Sequence, residues 1–409
     1  MKIGYRLNDK FDLATFISVF LLSVIGLAAI YSSTVNHPTA SGNFERQFIW
    51  FIFSIIIFFI TYFVPPQFFR IIAVPSYILS ILSLLLVLVV GKTVYGAKSW
   101  LGVGNLGMQP SELAKIGLIF FLAYWLTRHK GDINNIKDIG ISLLIGFIPI
   151  ALILLEPDMG TAIVFAFITI VMVFWSGINL FGLFVVFSPG IVTFASIFGT
   201  YAFVASLILV VTALIFFKKD LFLSASIFVM NIAAGFFFDY LYNILQPHQQ
   251  KRIESFLDPN ADPLGAGYNA LQAKVAIGSG GLLGKGFMQG NQTQLRFIPQ
   301  QWTDFIYCVV GEEFGFIGSI FVVVLFLIIF MRLLKLTSTQ KDNYFSLITI
   351  GVLSLLFFHF CINIGMNLGI TPVIGLPLPF LSYGGSSLLV NVFLIGVVLN
   401  FYRNRKQYA

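Results

Sequence analysis

The sequence predicts an all-α, polytopic integral membrane protein with about twelve transmembrane helices, and three observations carry that prediction. Of 409 residues, 58% are apolar and only 10% charged, with a mean hydropathy of +0.93. Soluble domains carry roughly a quarter charged residues, so this chain cannot cover a water-facing surface. Runs long enough to cross about 30 Å of hydrocarbon recur from end to end. Lys and Arg fall in alternate connections, as membrane orientation requires. A soluble enzyme, a disordered tail and a disulfide-stapled module are excluded. Cys308 and Cys361 lie in apolar runs and read as small core residues; four scattered histidines give no ligand spacing.

The spans are predicted near 12–32, 46–64, 71–90, 111–127, 138–155 and 158–176. Three more fit 178–245, near 181–197, 200–217 and 221–245, and the last three lie near 303–331, 344–366 and 381–402. The first is read as a retained anchor, because its apolar stretch is longer than a signal-peptide core and no small-residue cleavage site follows. Ser188-Pro189-Gly190 interrupts 181–197, so this span and 200–217 could instead form one broken hairpin. An even count puts both termini on one side. With the N-terminus inside, the inner side collects 15 of the 24 basic residues, which makes both termini cytoplasmic. Lys218-Lys219 falls where the twelve-span arrangement needs an inner loop. The basic pI therefore reports orientation, and no nucleic acid partner is called for.

Polar chemistry concentrates in a few places. Residues 246–302 form a large extracytoplasmic loop in this topology, with Asp258-Pro259 and Asp262-Pro263-Leu264-Gly265-Ala266-Gly267-Tyr268. Either Asp-Pro step could simply start a turn. The cluster Gly278–Gly286 fails as a Walker loop at both ends and reads as a bend that lets backbone approach a helix or a lipid headgroup. In loop 91–110, Trp100 is an interfacial anchor or a platform for a sugar ring. Just beyond it, Ser111 is placed as an N-cap, and Glu112 and Lys115 are spaced to pair on one helix face. Asp304 and Glu312, eight apart, are expected to share a face of the 303–331 span. Glu313, Glu156, Asp158 and Asp239 add acidic groups toward the outer side. His359 reads as hydrogen-bonded to a neighbouring helix rather than catalytic. Charge gathered toward the outer leaflet implies a site open to the outer face, with a lipidic or lipid-linked substrate entering sideways.

Several blocks resemble the SEDS family (shape, elongation, division, sporulation). They are Gln109-Pro110-Ser111-Glu112-Leu113-Ala114-Lys115, Glu156-Pro157-Asp158-Met159-Gly160-Thr161, Asp262 to Tyr268, Gly278–Gly286, Thr303-Asp304-Phe305, Gly311-Glu312-Glu313, and Leu376 to Ser387. They run in order across nearly the whole chain. Gly365-Met366-Asn367, Pro372 and Gly375 to Pro379 look more like the elongation branch than the division branch. The resemblance implies a single transmembrane domain over 1–409, with a family core of ten spans and an extra helical hairpin in 178–245. It also implies a peptidoglycan glycosyltransferase that polymerises lipid II at the outer face of the bacterial cytoplasmic membrane during elongation and shape maintenance. Asp262 is then the essential carboxylate, and the partners are a class B penicillin-binding protein transpeptidase and other elongation-machinery membrane proteins. Where the family commonly reads Pro-Glu-x-His-Thr-Asp, this chain has Pro299-Gln300-Gln301-Trp302-Thr303-Asp304, so roles of that Glu and His do not carry over.

The chemistry suits these residues. The acceptor 4-hydroxyl must lose a proton as it attacks the anomeric carbon, and a carboxylate such as Asp262 is the simplest base. The departing lipid pyrophosphate needs Lys or Arg, or a divalent cation (Mg or Mn); no organic cofactor is implied. Lys115, Lys274, Lys285 and Arg296 are the cationic candidates, with Trp100, Glu112 and Asp304 as further substrate contacts. The alternative reading is a lipid II flippase, favoured by twelve helices and intramembrane charge. A pure scaffold for cell-wall machinery is a third.

Overall fold

The computed structural model describes residues 10–94, 97–103, 106–128, 136–177, 180–196, 198–218, 220–244, 250 and 266–405. Its helices are α1 (Leu13–Thr34), α2 (Asn43–Phe63), the short α3 (Pro66–Ile71), α4 (Ala73–Val90), α5 (Pro110–Arg128), α6 (Ile136–Leu155) and α7 (Met159–Trp175). There follow α8 (Leu180–Ser196), α9 (Thr200–Phe217), α10 (Leu221–Ile244), α11 (Ala266–Ser279), α12 (Asn291–Gln294), α13 (Ile306–Thr339), α14 (Asn343–Leu368) and α15 (Gly385–Asn404). Twelve of these match the twelve predicted spans. Eight are long and apolar enough by themselves to cross a membrane; α7, α8 and α10 carry shorter apolar stretches, and α5 carries three charges. The chain is a multi-pass membrane protein.

Both described chain ends lie at one end of the bundle. The Tyr62 hydroxyl donates to the Lys10 carbonyl (3.0 Å), and Asn400 and Arg403 donate to the Tyr62 carbonyl (3.0 and 3.3 Å). Asp12 grips the Arg332 guanidinium (2.6 Å), and Arg70 pairs with Asp342 (3.0 Å), at the same end. Twenty residues further along α1, about 30 Å away, the Ser32 hydroxyl donates to Glu313. The antiparallel pair α1–α13 is therefore pinned by polar contacts at both ends.

The main core lies among α5, α7, α13, α14 and α15, where Leu118, Phe165, Phe326, Ile348 and Leu394 are fully buried. In α14 and α15 about 70% of the apolar window is buried, against 17% in α9; the first two are central and the last is peripheral. Helices α8–α10 hold their own small core of Val192, Val210, Leu214 and Ile227. There α8 runs unbroken through Pro189, with Asn231 donating to the Ser188 hydroxyl (3.0 Å). The expected break is absent because α10 packs along this stretch and ties it down. Cys308 is buried as expected, whereas Cys361 faces outward from α14.

Three further departures bear on the site. Loop 91–110 holds a small antiparallel sheet, β1 (Lys92–Val94), β2 (Ala97–Val103) and β3 (Leu106–Met108), in the order β1-β2-β3. The α5 helix starts at Pro110, so Ser111 lies inside the helix and is no N-cap; proline suits the first helical position, where its missing N–H costs nothing. Asp304 lies before α13 and does not share a helical face with Glu312. Its carbonyl is held by Asn363 (2.9 Å) and Asn367 (3.1 Å), which keeps this stretch out of the helix.

Candidate functional site

Two buried polar clusters lie at the end opposite the chain termini. The first is built on the start of α5. Glu112 and Lys115, one helical turn apart, form an ion pair at 2.8 Å with both side chains almost wholly buried. The Lys115 ammonium also lies 3.5 Å from His359 Nε2. His359 Nδ1 is 3.0 Å from the Pro377 carbonyl; a carbonyl only accepts, so Nδ1 carries the proton and Nε2 presents its lone pair to Lys115. Ser111 Oγ, Glu112 Oε2 and both carboxyl oxygens of Glu156 are buried with no partner among the described residues. Glu156 sits in the turn between α6 and α7. Burial, reinforced by the nearby Asp158 charge, pushes its carboxyl up to about 8, so it is protonated at neutral pH. Asp158 caps α7 by accepting from Thr161 N (3.0 Å) and also accepts from Gln109 Nε2 (3.2 Å), which joins the α6–α7 turn to the start of α5.

The second cluster surrounds a break in α13. Gly315 has φ 65° and ψ −160°, so the helix is interrupted just after Glu312 and Glu313. The glycine bend 280–286 fills the break with backbone hydrogen bonds. Lys285 N and Gly286 N donate to the Glu312 and Glu313 carbonyls (3.0 and 3.1 Å), and Phe316 N and Ile317 N donate to the Gly281 and Leu282 carbonyls (2.8 and 3.2 Å). The close backbone approach expected of the glycine cluster is what the fold uses. The Glu312 carboxylate accepts from Lys285 Nζ (2.8 Å), Gln292 N (2.9 Å), Thr293 N (2.9 Å) and Thr293 Oγ1 (2.8 Å). A carboxylate so fully satisfied can stay ionised in a buried site. Glu313 accepts from Ser32, while its second oxygen is buried with no partner among the described residues.

Between the clusters runs the non-helical segment 369–384. Irregular backbone at membrane depth needs its carbonyls satisfied from within the protein. One stripe of α14 does this: His359 serves Pro377, Asn363 serves Leu376 (2.8 Å) as well as Asp304, and Asn367 serves Asp304. Asn363 escaped notice in the sequence reading, although His359, Asn363 and Asn367 repeat every four residues inside an apolar span.

The sequence-predicted residues are thus distributed unevenly. Lys115 and Lys285 are committed to Glu112 and Glu312. Lys274, on α11, is exposed and lies across Gly369, the left-handed C-cap of α14; no described carboxylate pairs with it. Arg296 is exposed and donates to the Asn36 carbonyl. Trp100 stands on β2 with its ring over Gly107 of β3. Asp262 and Asp258 lie outside the described residues. Among the described residues no group of three or more His, Cys, Asp or Glu could hold a metal ion.

These features define a multi-pass helical membrane protein with an acid-lined site at the end away from its termini. The family model for the FtsW/RodA/SpoVE cell cycle proteins matches residues 12–203 and 182–407. The chain belongs to this family. It is 34% identical to the peptidoglycan glycosyltransferase RodA of Treponema pallidum, over 96% of this chain and 97% of the relative. It is 32% identical to the peptidoglycan glycosyltransferase MrdB of Escherichia coli K12, over 97% and 95%. Among solved structures, a chain described under "Structural coordination of polymerization and crosslinking by a peptidoglycan synthase complex" aligns with a TM-score of 0.74 at 29% identity, covering 97% of this chain and 99% of that one. The rod shape determining protein RodA of Thermus thermophilus aligns with a TM-score of 0.64 at 25% identity, covering 97% of each chain.

Proposed function

We propose that this protein is a peptidoglycan glycosyltransferase that polymerises lipid II at the outer face of the bacterial cytoplasmic membrane, with both termini cytoplasmic. The observation that carries this reading is full-length similarity to relatives named peptidoglycan glycosyltransferase, on a fold where the buried acids Glu112, Glu156, Glu312 and Glu313 lie away from the chain termini. The acceptor sugar's 4-hydroxyl attacks the anomeric carbon of the lipid-linked donor, its proton passes to the Asp262 carboxylate, and the bond to pyrophosphate breaks. Lys274 and Arg296 are the exposed cations suited to the pyrophosphate, since Lys115 and Lys285 already neutralise buried acids. A divalent cation would supply the same charge. The described residues bring no three His, Cys, Asp or Glu side chains together that could hold it. The synthase complex among the structural neighbours supports pairing with a transpeptidase of the class B penicillin-binding type.

Purified protein, with and without such a partner, given lipid II in detergent or vesicles, tests the reading. Glycan strands are expected. Movement of lipid II between leaflets with no polymer formed would establish the flippase instead. The acidic groups described above lie near one end rather than around the midplane, which favours surface chemistry over alternating access.

A further inference from the structure

The sequence places the segment after α11 in the large extracytoplasmic loop, as a bend approaching a helix or a lipid headgroup; its chemistry in the structure is that of a membrane-embedded element. Leu282 and Leu283 are 71% and 78% exposed, and Phe287 projects beside them. The hairpin and the break in α13 pair with each other: Lys285 with Glu312, and Lys285 N, Gly286 N, Gly281 O and Leu282 O with the backbone of residues 312–317. A turn whose backbone is bonded to a neighbouring spanning helix and whose leucines face outward is poorly suited to water. Bonding of backbone to an adjacent helix is how irregular structure is accommodated at hydrocarbon depth. The leucines also continue an existing lipid-facing surface. Phe316, Ile317, Ile320, Phe321, Val324 and Leu327 form an exposed apolar stripe along α13, and Phe316 N and Ile317 N are the groups bonded to Gly281 and Leu282.

We propose that residues 281–287 form a re-entrant hairpin inserted among the acyl chains of the leaflet opposite the chain termini, continuous with the lipid-facing stripe of α13. The occupant of this face is bilayer lipid. The hairpin sets the depth of Glu312 and Glu313, because its backbone is bonded to theirs. A lipid-linked ligand moving in the leaflet would meet this edge of the protein beside the buried acid pair. The inference stands on the geometry of the hairpin and does not depend on the enzymatic reading.

Cysteine replaces Leu283 in the full-length protein bearing Cys361→Ala; buried Cys308 stays in place. Val324→Cys serves as the acyl-chain reference and Lys341→Cys, beyond the far end of α13, as the aqueous reference. Each is labelled with an environment-sensitive fluorophore and reconstituted into phosphatidylcholine–phosphatidylglycerol vesicles with or without brominated phosphatidylcholine. The label at 283 is expected to be blue-shifted, to lose fluorescence to bromine as at 324, and to resist iodide. Emission and iodide quenching like those at 341, with no bromine effect, would overturn the proposal. Protection from iodide without bromine quenching would overturn it too, because protein rather than lipid would then cover the hairpin. Since Leu283 is exposed, the substitution leaves the packed core intact, and a monodisperse elution profile checks this.

Discussion

Replacing Gly284 by alanine places a methyl group where the structure has the backbone of α13. A Cβ there overlaps the Glu313 carbonyl and comes within 2.6 Å of Phe314 N, and the residue has φ +82°. Backbone cannot swing aside as a side chain can, so the hairpin must withdraw. Withdrawal breaks the Lys285 N–Glu312 O and Gly286 N–Glu313 O hydrogen bonds, each contributing about 1 kcal/mol and more where a buried partner is left unpaired. The left-handed conformation adds about 1–2 kcal/mol for any residue with a Cβ. The total for Gly284→Ala is therefore about 4 kcal/mol. Gly281 supplies the control. It also has positive φ, at +59°, but a Cβ there meets nothing within 4 Å, so Gly281→Ala should cost only the conformational part, about 1–2 kcal/mol. Thermal unfolding in detergent, followed by loss of the monodisperse peak, reads the difference. A clearly lower midpoint is expected for Gly284→Ala than for Gly281→Ala. Equal midpoints would refute the claim that close approach to the broken helix, rather than backbone conformation alone, demands glycine at 284.

Three further outcomes are expected. Asp262→Asn should stay folded and lose about a hundred- to ten-thousand-fold in polymerisation rate, while Asp258→Asn should stay within a few-fold; lipid II turnover by both variants checks this. The Glu156 carboxyl is raised from 4.5 to about 8, so its favourable neutral form is fully present below pH 4.5 and is lost as pH rises through 8. Stability of the native protein should fall across that window by up to about 5 kcal/mol, and Glu156→Gln should flatten the slope in melts taken from pH 5 to 9. Asn363→Leu leaves the buried Leu376 carbonyl unpaired, while Asn367 still serves Asp304. It should cost about 1–3 kcal/mol, seen as a lowered melting midpoint; an unchanged midpoint would show that the α14 stripe does not hold segment 369–384.

The sequence by itself determined the class of the protein, the twelve longest of its described helices and the end at which the acids of the site gather. These follow from hydropathy and charge, which act locally: a run of apolar residues is helical in lipid whatever its neighbours, and a loop's Lys content is visible without knowing what it touches. The Glu112–Lys115 pair was legible for the same reason, because i,i+3 spacing brings two residues together in any helix. Only the tertiary structure decided that α13 breaks at Gly315, that Lys285 belongs to Glu312, and that Asn363 holds a carbonyl thirteen residues away in the chain. Those contacts join segments through space, and hydropathy carries no record of which segment will lie alongside which. The start of α5 and the position of Asp304 were misjudged for a related reason. A helix end is set by whichever partner satisfies the next backbone group, and for Asp304 that partner is α14. The sheet at 92–108 likewise has no strand-length apolar alternation to announce it; pairing between its short strands, with Trp100 over Gly107, holds it. Spans belong to composition, and the site belongs to packing, because burying a carboxylate requires a partner that only the folded chain brings within reach.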